Sequence, residues 1–78
     1  MSKCCVIGMG YIGLPTATVI ANVGHEVIGI DIGKEKVEKI NKGLVYIKEP
    51  NLDEILKKVV FSGKLIARET LIKADIFI

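Results

Sequence analysis

Tryptophan is absent from the 78-residue sequence, and two Phe and two Tyr make up all of its aromatic content. No aromatic cluster can organise the interior, so a core has to be built from Ile, Val, Leu and Ala. Buried parallel strands use that aliphatic, β-branched palette. Cysteine is confined to Cys4 and Cys5. Adjacent strand residues point to opposite faces, which excludes a disulfide between them and fits a reducing, cytoplasmic setting. The one histidine, His25, has no Cys, His or carboxylate cluster beside it at metal-ligand spacing, and it reads as a loop residue. Neither charge sign dominates: 11 Lys and Arg stand against 9 Asp and Glu, interspersed along the chain. Such a balance favours neither nucleic acid nor an acidic surface as partner. No run approaches the roughly 18 apolar residues of a membrane helix, and the opening "MSKCCVIGMG" is too short for a signal sequence, so a soluble, untargeted protein is expected. At this length the chain is one small domain at most, near the size where a lone core becomes marginal.

Within those bounds the chain alternates. Cys4 to Ile7 is a short apolar run followed by glycines. From Tyr11 to Val23 the residues Ile12, Thr16, Val19, Ile20 and Val23 recur at helical spacing, with Gly24 as the stop. "EVIGID" at 26–31 reads as a second strand. A charged helix from Lys34 to Lys42 is marked by Val37, Ile40 and Leu44 and ended by Gly43. Leu52, Ile55, Leu56, Val59 and Val60 form a wide apolar stripe, preceded by Asn51 and Glu54 at capping-box spacing and closed by Ser62-Gly63. Residues 65–68 and the terminal "ADIFI" are further strand candidates. The pattern implies an α/β, Rossmann-like three-layer fold with a parallel sheet.

The glycines carry the chemistry. Gly8, Gly10 and Gly13 match G-x-G-x-x-G between a strand and a helix, the context in which that motif binds a dinucleotide. Gly8 permits the tight turn, Gly10 lets the backbone approach a pyrophosphate, and Gly13 allows close packing of helix on strand. The N–H groups at the helix start then face phosphate charge, and Pro15 in the first turn removes a donor that has no intrahelical partner. Asp31 ends the second strand at the distance expected of the carboxylate that binds the adenosine ribose hydroxyls. The alternatives are a loop whose glycines only make turns and an Asp31 that only caps a helix. Tyr11 and Ile12 are the bulky residues placed to touch a cofactor, whereas Lys34 and Lys36 suit a solvated helix face. Cys4 and Cys5, on a central strand, are apolar fillers and not nucleophiles.

Together "GYIGLPTA", the Asp31 strand, "KVEKINKG" and "EPNLDEIL" resemble the N-terminus of the nucleotide-sugar 6-dehydrogenases through most of the 78 residues. The resemblance implies that the fold is incomplete, the N-terminal portion of a dinucleotide-binding domain, with NAD as cofactor, held by Gly8, Gly10, Tyr11, Ile12, Gly13 and Asp31. It implies as well oxidation of a UDP-sugar C6 hydroxyl to a carboxylate, in two hydride transfers through a thiol adduct. The family's catalytic cysteine, lysine and asparagine and its nucleotide-sugar site match nothing in residues 1–78, so the chain alone is expected to be inactive. The uncapped apolar ending "ADIFI" reads as the cut edge of a longer protein, and strand edges left open predict self-association. A stand-alone nucleotide-binding or interaction module, or part of another Rossmann dehydrogenase, are the alternatives.

Overall fold

The computed structural model describes residues 3–46, 49–69 and 76–78. Along them run β1 (Lys3–Ile7), α1 (Gly13–Asn22), β2 (Glu26–Ile30), α2 (Lys34–Asn41), α3 (Leu52–Phe61), β3 (Leu65–Arg68) and β4 (Ile76–Phe77). The strands pair in parallel in the order β3-β2-β1-β4. The chain therefore steps outward from β1 through β2 to β3 and returns to β4 on the other flank of β1. That reversal leaves a crevice at the C-terminal ends of β1 and β4, where open α/β sheets bind ligands.

Strand alternation divides the core. Cys4, Val6, Val27, Leu65 and Ala67 share one buried cluster with Leu14, Ala17 and Ala21 of α1, Val37 and Ile40 of α2, and Leu56 and Val59 of α3. All three helices thus cover the same face. Cys5, Ile28 and Ile30 form a separate buried cluster on the other face, and no described helix belongs to that expected third layer. Both cysteines are free thiols. Burial, with Cys4 beside it, pushes the Cys5 thiol up, which disfavours the thiolate a nucleophile needs. In the C-terminal strand expected over 74–78, residues 74 and 75 lie outside the described residues.

Three local expectations are corrected. The helix predicted from Tyr11 starts at Gly13, and it buries Leu14, Ala17, Thr18 and Ala21 rather than Ile12, Val19 and Val23. Val19 and Val23 are 59% and 70% exposed. The inner face combines small Ala17 and Ala21 with the larger Leu14 and Thr18. Thr18, fully buried, donates its hydroxyl to the Leu14 carbonyl at 2.8 Å and so leaves no polar atom unmatched in that contact. The capping box at Asn51 does not form: Asn51 adopts φ +65° and makes no side-chain cap bond. A capping side chain needs an extended backbone to fold over the first N–H groups. Asp53 and Glu54 act on the α3 dipole instead, and Asp53 pairs with Lys57 at 3.7 Å. Leu44, expected on the α2 face, follows the helix and is exposed. The predicted stops at Gly24, Gly43 and Gly63 all have positive φ.

Strand β3 lies at the sheet edge, and its outer side is paired by a side chain. The Asn41 amide nitrogen donates to the Ala67 carbonyl at 3.0 Å, and the Ala67 N–H donates to Asn41 Oδ1 at 2.8 Å. The last residue of α2 thereby stands in for an additional strand residue and blunts the edge. Asn41→Ala leaves both groups unpaired. A loss of about 1–3 kcal/mol is expected in urea unfolding, and an unchanged midpoint contradicts the clasp.

Candidate functional site

Two consecutive peptides at the end of β1 are oriented from outside the loop they belong to. The Met9 N–H donates to Asp31 Oδ2 at 2.9 Å, and the Met9 carbonyl accepts the Tyr46 hydroxyl. The Met9 side chain is fully buried over Gly29 in the middle of β2. A Cβ on Gly29 would lie 2.5 Å from Met9 Cε and 2.7 Å from Sδ. A glycine inside a β-branched strand marks such a close approach.

The next contact joins the loop to α1. Gly8 turns the chain with φ +86°, and its N–H donates to the Ile30 carbonyl at 2.7 Å. A Cβ on Gly13 would sit 1.6 Å from the Gly8 carbonyl oxygen. No side chain fits between them, so residue 13 has to be glycine for α1 to start where it does. Gly10 differs: nothing lies within 4 Å of a Cβ built there. No neighbour among the described residues therefore demands glycine at position 10, in contrast to position 13. The first intrahelical bond runs from the Leu14 N–H to the Gly10 carbonyl at 3.1 Å. The N–H groups of residues 10–13 precede it and carry the positive end of the α1 dipole, with no acidic residue in the first turn to offset it.

A cleft of about 470 Å³ opens beside this loop, lined by Val6, Ile7, Gly8, Gly10, Tyr11, Ile12, Gly13, Thr16 and Ile78. It occupies the reversal point between β1 and β4. The Ile7 N–H donates to the Ile78 carbonyl, and the Ile78 N–H to the Cys5 carbonyl, both at 2.8 Å. Tyr11 and Ile12 stand at its rim, each 82% exposed.

Asp31 lies on the opposite side of the loop, past the end of β2. Its Oδ1 accepts the Gly33 N–H at 2.7 Å, its Oδ2 accepts that of Met9, and the Lys36 ammonium is 4.0 Å from Oδ2. Partial burial pushes its pKa up, but the two amides and Lys36 outweigh burial and hold the carboxyl below the usual range. It is ionised at neutral pH. The N-cap of α2 is Gly33, so Asp31 is not a helix cap. Two amide bonds leave part of its acceptor capacity open to a ligand hydroxyl. Lys34 is exposed, and no ion pair joins it to Asp31.

The six residues singled out from sequence therefore fall on one loop and the neighbouring strand end. Gly8, Gly10, Tyr11, Ile12 and Gly13 line the cleft, and Asp31 reaches them through Met9. Sequence reasoning missed Met9, Gly29 and Tyr46. Only Gly29 carried a signal, as the one residue without a side chain in "EVIGI". Among the described residues no group of His, Cys, Asp and Glu is arranged to hold a metal, and no helix is long and apolar enough to cross a membrane.

The residues present fit a dinucleotide: open backbone at Gly10, unpaired donors at a helix start, and a carboxylate at the next strand end. Comparison with known proteins agrees. Residues 2–78 match the family profile described as UDP-glucose/GDP-mannose dehydrogenase family, NAD binding domain. A UDP-N-acetyl-D-mannosamine dehydrogenase of Methanococcus vannielii is 49% identical over 78 residues, covering 100% of this chain and 18% of the relative. The solved structure of the UDP-N-acetyl-mannosamine dehydrogenase Cap5O from Staphylococcus aureus superposes with TM-score 0.93 at 42% identity, covering 97% of this chain and 18% of that one. A UDP-glucose dehydrogenase from Pyrobaculum islandicum gives TM-score 0.84 at 37% identity over 90% of this chain and 16% of its own. The chain thus spans less than a fifth of the length of these relatives, and it belongs to the UDP-glucose/GDP-mannose dehydrogenase family, within its NAD binding domain.

Proposed function

We infer that this chain supplies the adenosine and pyrophosphate half of the NAD site in a UDP-sugar 6-dehydrogenase, with UDP-N-acetyl-D-mannosamine as the favoured substrate and UDP-glucose as the alternative. The observation that carries this reading is the pairing of open backbone at Gly10 with the Asp31 carboxylate on the far side of Met9. Gly10 and Gly13 present the N–H groups that meet pyrophosphate, and Gly8 makes the turn that brings them there. Asp31 accepts ribose hydroxyls, and Tyr11 and Ile12 cover the bound cofactor from the cleft rim. NAD, when bound, supplies the hydride acceptor for a sugar carbon. What these residues do is bind and orient it. The preference for N-acetylmannosamine rests on the "LPTA" and "EPNLDE" segments and on the names of the most similar relatives.

Asp31 repels a ribose 2′-phosphate, so NAD is preferred over NADP. Asp31→Ala is expected to weaken NAD binding by about 1.5–3 kcal/mol, the value of a charge-assisted hydrogen bond, and to narrow the gap to NADP. Loosening of the loop weakens both cofactors alike, so the ratio isolates the carboxylate. Gly10→Val is expected to weaken both equally. Calorimetric titration of each variant with each cofactor checks both, and an unchanged NAD to NADP ratio in Asp31→Ala overturns the ribose assignment.

Among the described residues neither buried thiol has a base beside it, and no carboxylate, lysine or histidine lines the 470 Å³ cleft. The 78-residue chain is therefore expected to form no NADH from UDP-N-acetylmannosamine or UDP-glucose, measured at 340 nm; NADH formation above a no-enzyme control contradicts this. Exposed Val19, Val23 and Phe61 support self-association of the isolated chain. Sedimentation velocity is expected to show species larger than the monomer at high micromolar concentration, and a single monomeric boundary rules that out.

A further inference from the structure

Tyr46 belongs to the connection between α2 and α3, 37 residues from the loop it touches. Its ring packs partly buried against the main core, beside Val45, and its hydroxyl donates to the Met9 carbonyl. Burial, then the charge of Asp31, pushes the hydroxyl up to about 12, so it stays a protonated donor throughout the neutral range. A trans peptide is planar, with its C=O and N–H pointing in opposite directions, and the chain contains no cis bond among the described residues. Holding the Met9 carbonyl toward Tyr46 therefore turns the Gly10 N–H away from Tyr46, and Gly10 lines the cleft. The preceding peptide obeys the same rule. Its Met9 N–H goes to Asp31, and its Gly8 carbonyl faces α1 at Gly13.

We propose that Tyr46 is a positioning residue for the cofactor's pyrophosphate: by fixing the Met9 carbonyl it aims the Gly10 N–H at the phosphate oxygens without touching the ligand itself. The proposal rests on the NAD reading above but concerns a different part of the ligand from Asp31. A second role, as a packing residue only, is separable because the ring and the hydroxyl can be removed in turn.

The test compares the unaltered chain with Tyr46→Phe, which keeps the ring. Both are titrated with NAD, ADP and adenosine by two-dimensional amide NMR. Tyr46→Phe is expected to weaken NAD and ADP by the same factor, about three- to tenfold, the range of one neutral hydrogen bond, and to leave adenosine unchanged. Equal loss for all three ligands overturns the proposal in favour of a packing role, and so does no loss for NAD. Should Tyr46→Phe fail to fold, the unaltered chain decides. Its Gly10 amide resonance has to move on addition of ADP and stay in place on addition of adenosine; an unmoved Gly10 amide with ADP overturns the proposal. Failure of the unaltered chain to bind NAD at all overturns the site reading itself, whereas loss of NAD affinity in Asp31→Ala but not in Tyr46→Phe removes only Tyr46.

Discussion

The Met9 peptide bonds are the constraint on which the site depends. Met9 stands between two glycines, each of which has more backbone freedom than any other residue, so its own conformation has to be imposed from elsewhere. Asp31 takes its N–H, Tyr46 takes its carbonyl, and the gap left by Gly29 takes its side chain. Two distant segments, the end of β2 and the connection after α2, converge on one residue. Gly8 and Gly10, where a Cβ would meet nothing within 4 Å, keep the backbone beside the cleft bare.

Consequences pass outward in both directions. Toward α1, a pinned Gly8 carbonyl sets the contact that only glycine at position 13 tolerates, and the helix start follows, with its free donors beside the cleft. Toward β2, the same carboxylate that steadies the loop is kept ionised by its two amides and Lys36. Asp31 is accordingly both part of the scaffold and the group with capacity left for a ribose hydroxyl. The parallel order β3-β2-β1-β4 puts these parts at one end of the sheet, and the Asn41 clasp on β3 keeps α2, which carries Lys36, registered against that end.

Much of this was legible from residue order because each element is specified locally. Strands of β-branched residues, positive-φ glycines after helices, and the spacing of Gly8, Gly10, Gly13 and Asp31 are short-range signals, and the elements, their sequence and the loop formed where they indicate. The failures each have a separate cause. α1 buries Leu14, Ala17, Thr18 and Ala21 and leaves the more hydrophobic Val19 and Val23 exposed, a choice of face that hydropathy alone does not make. Asn51 has the right identity for a cap but a left-handed backbone. Tyr46 acts across 37 residues on a carbonyl, and no periodicity announces a hydrogen bond to the main chain.

The central claim is that residues 10–13 and Asp31 together receive one dinucleotide, with the pyrophosphate at the helix start and the ribose at the strand end. Amide NMR of the uniformly labelled chain during titration with NAD tests it directly. The account predicts that the resonances of Gly10, Tyr11, Ile12 and Gly13 and those of Asp31, Ile32 and Gly33 move with a single binding constant, while Gly43 and Gly63 at the far helix ends stay still. Movement centred on any other surface, or of only one of the two segments, would contradict it.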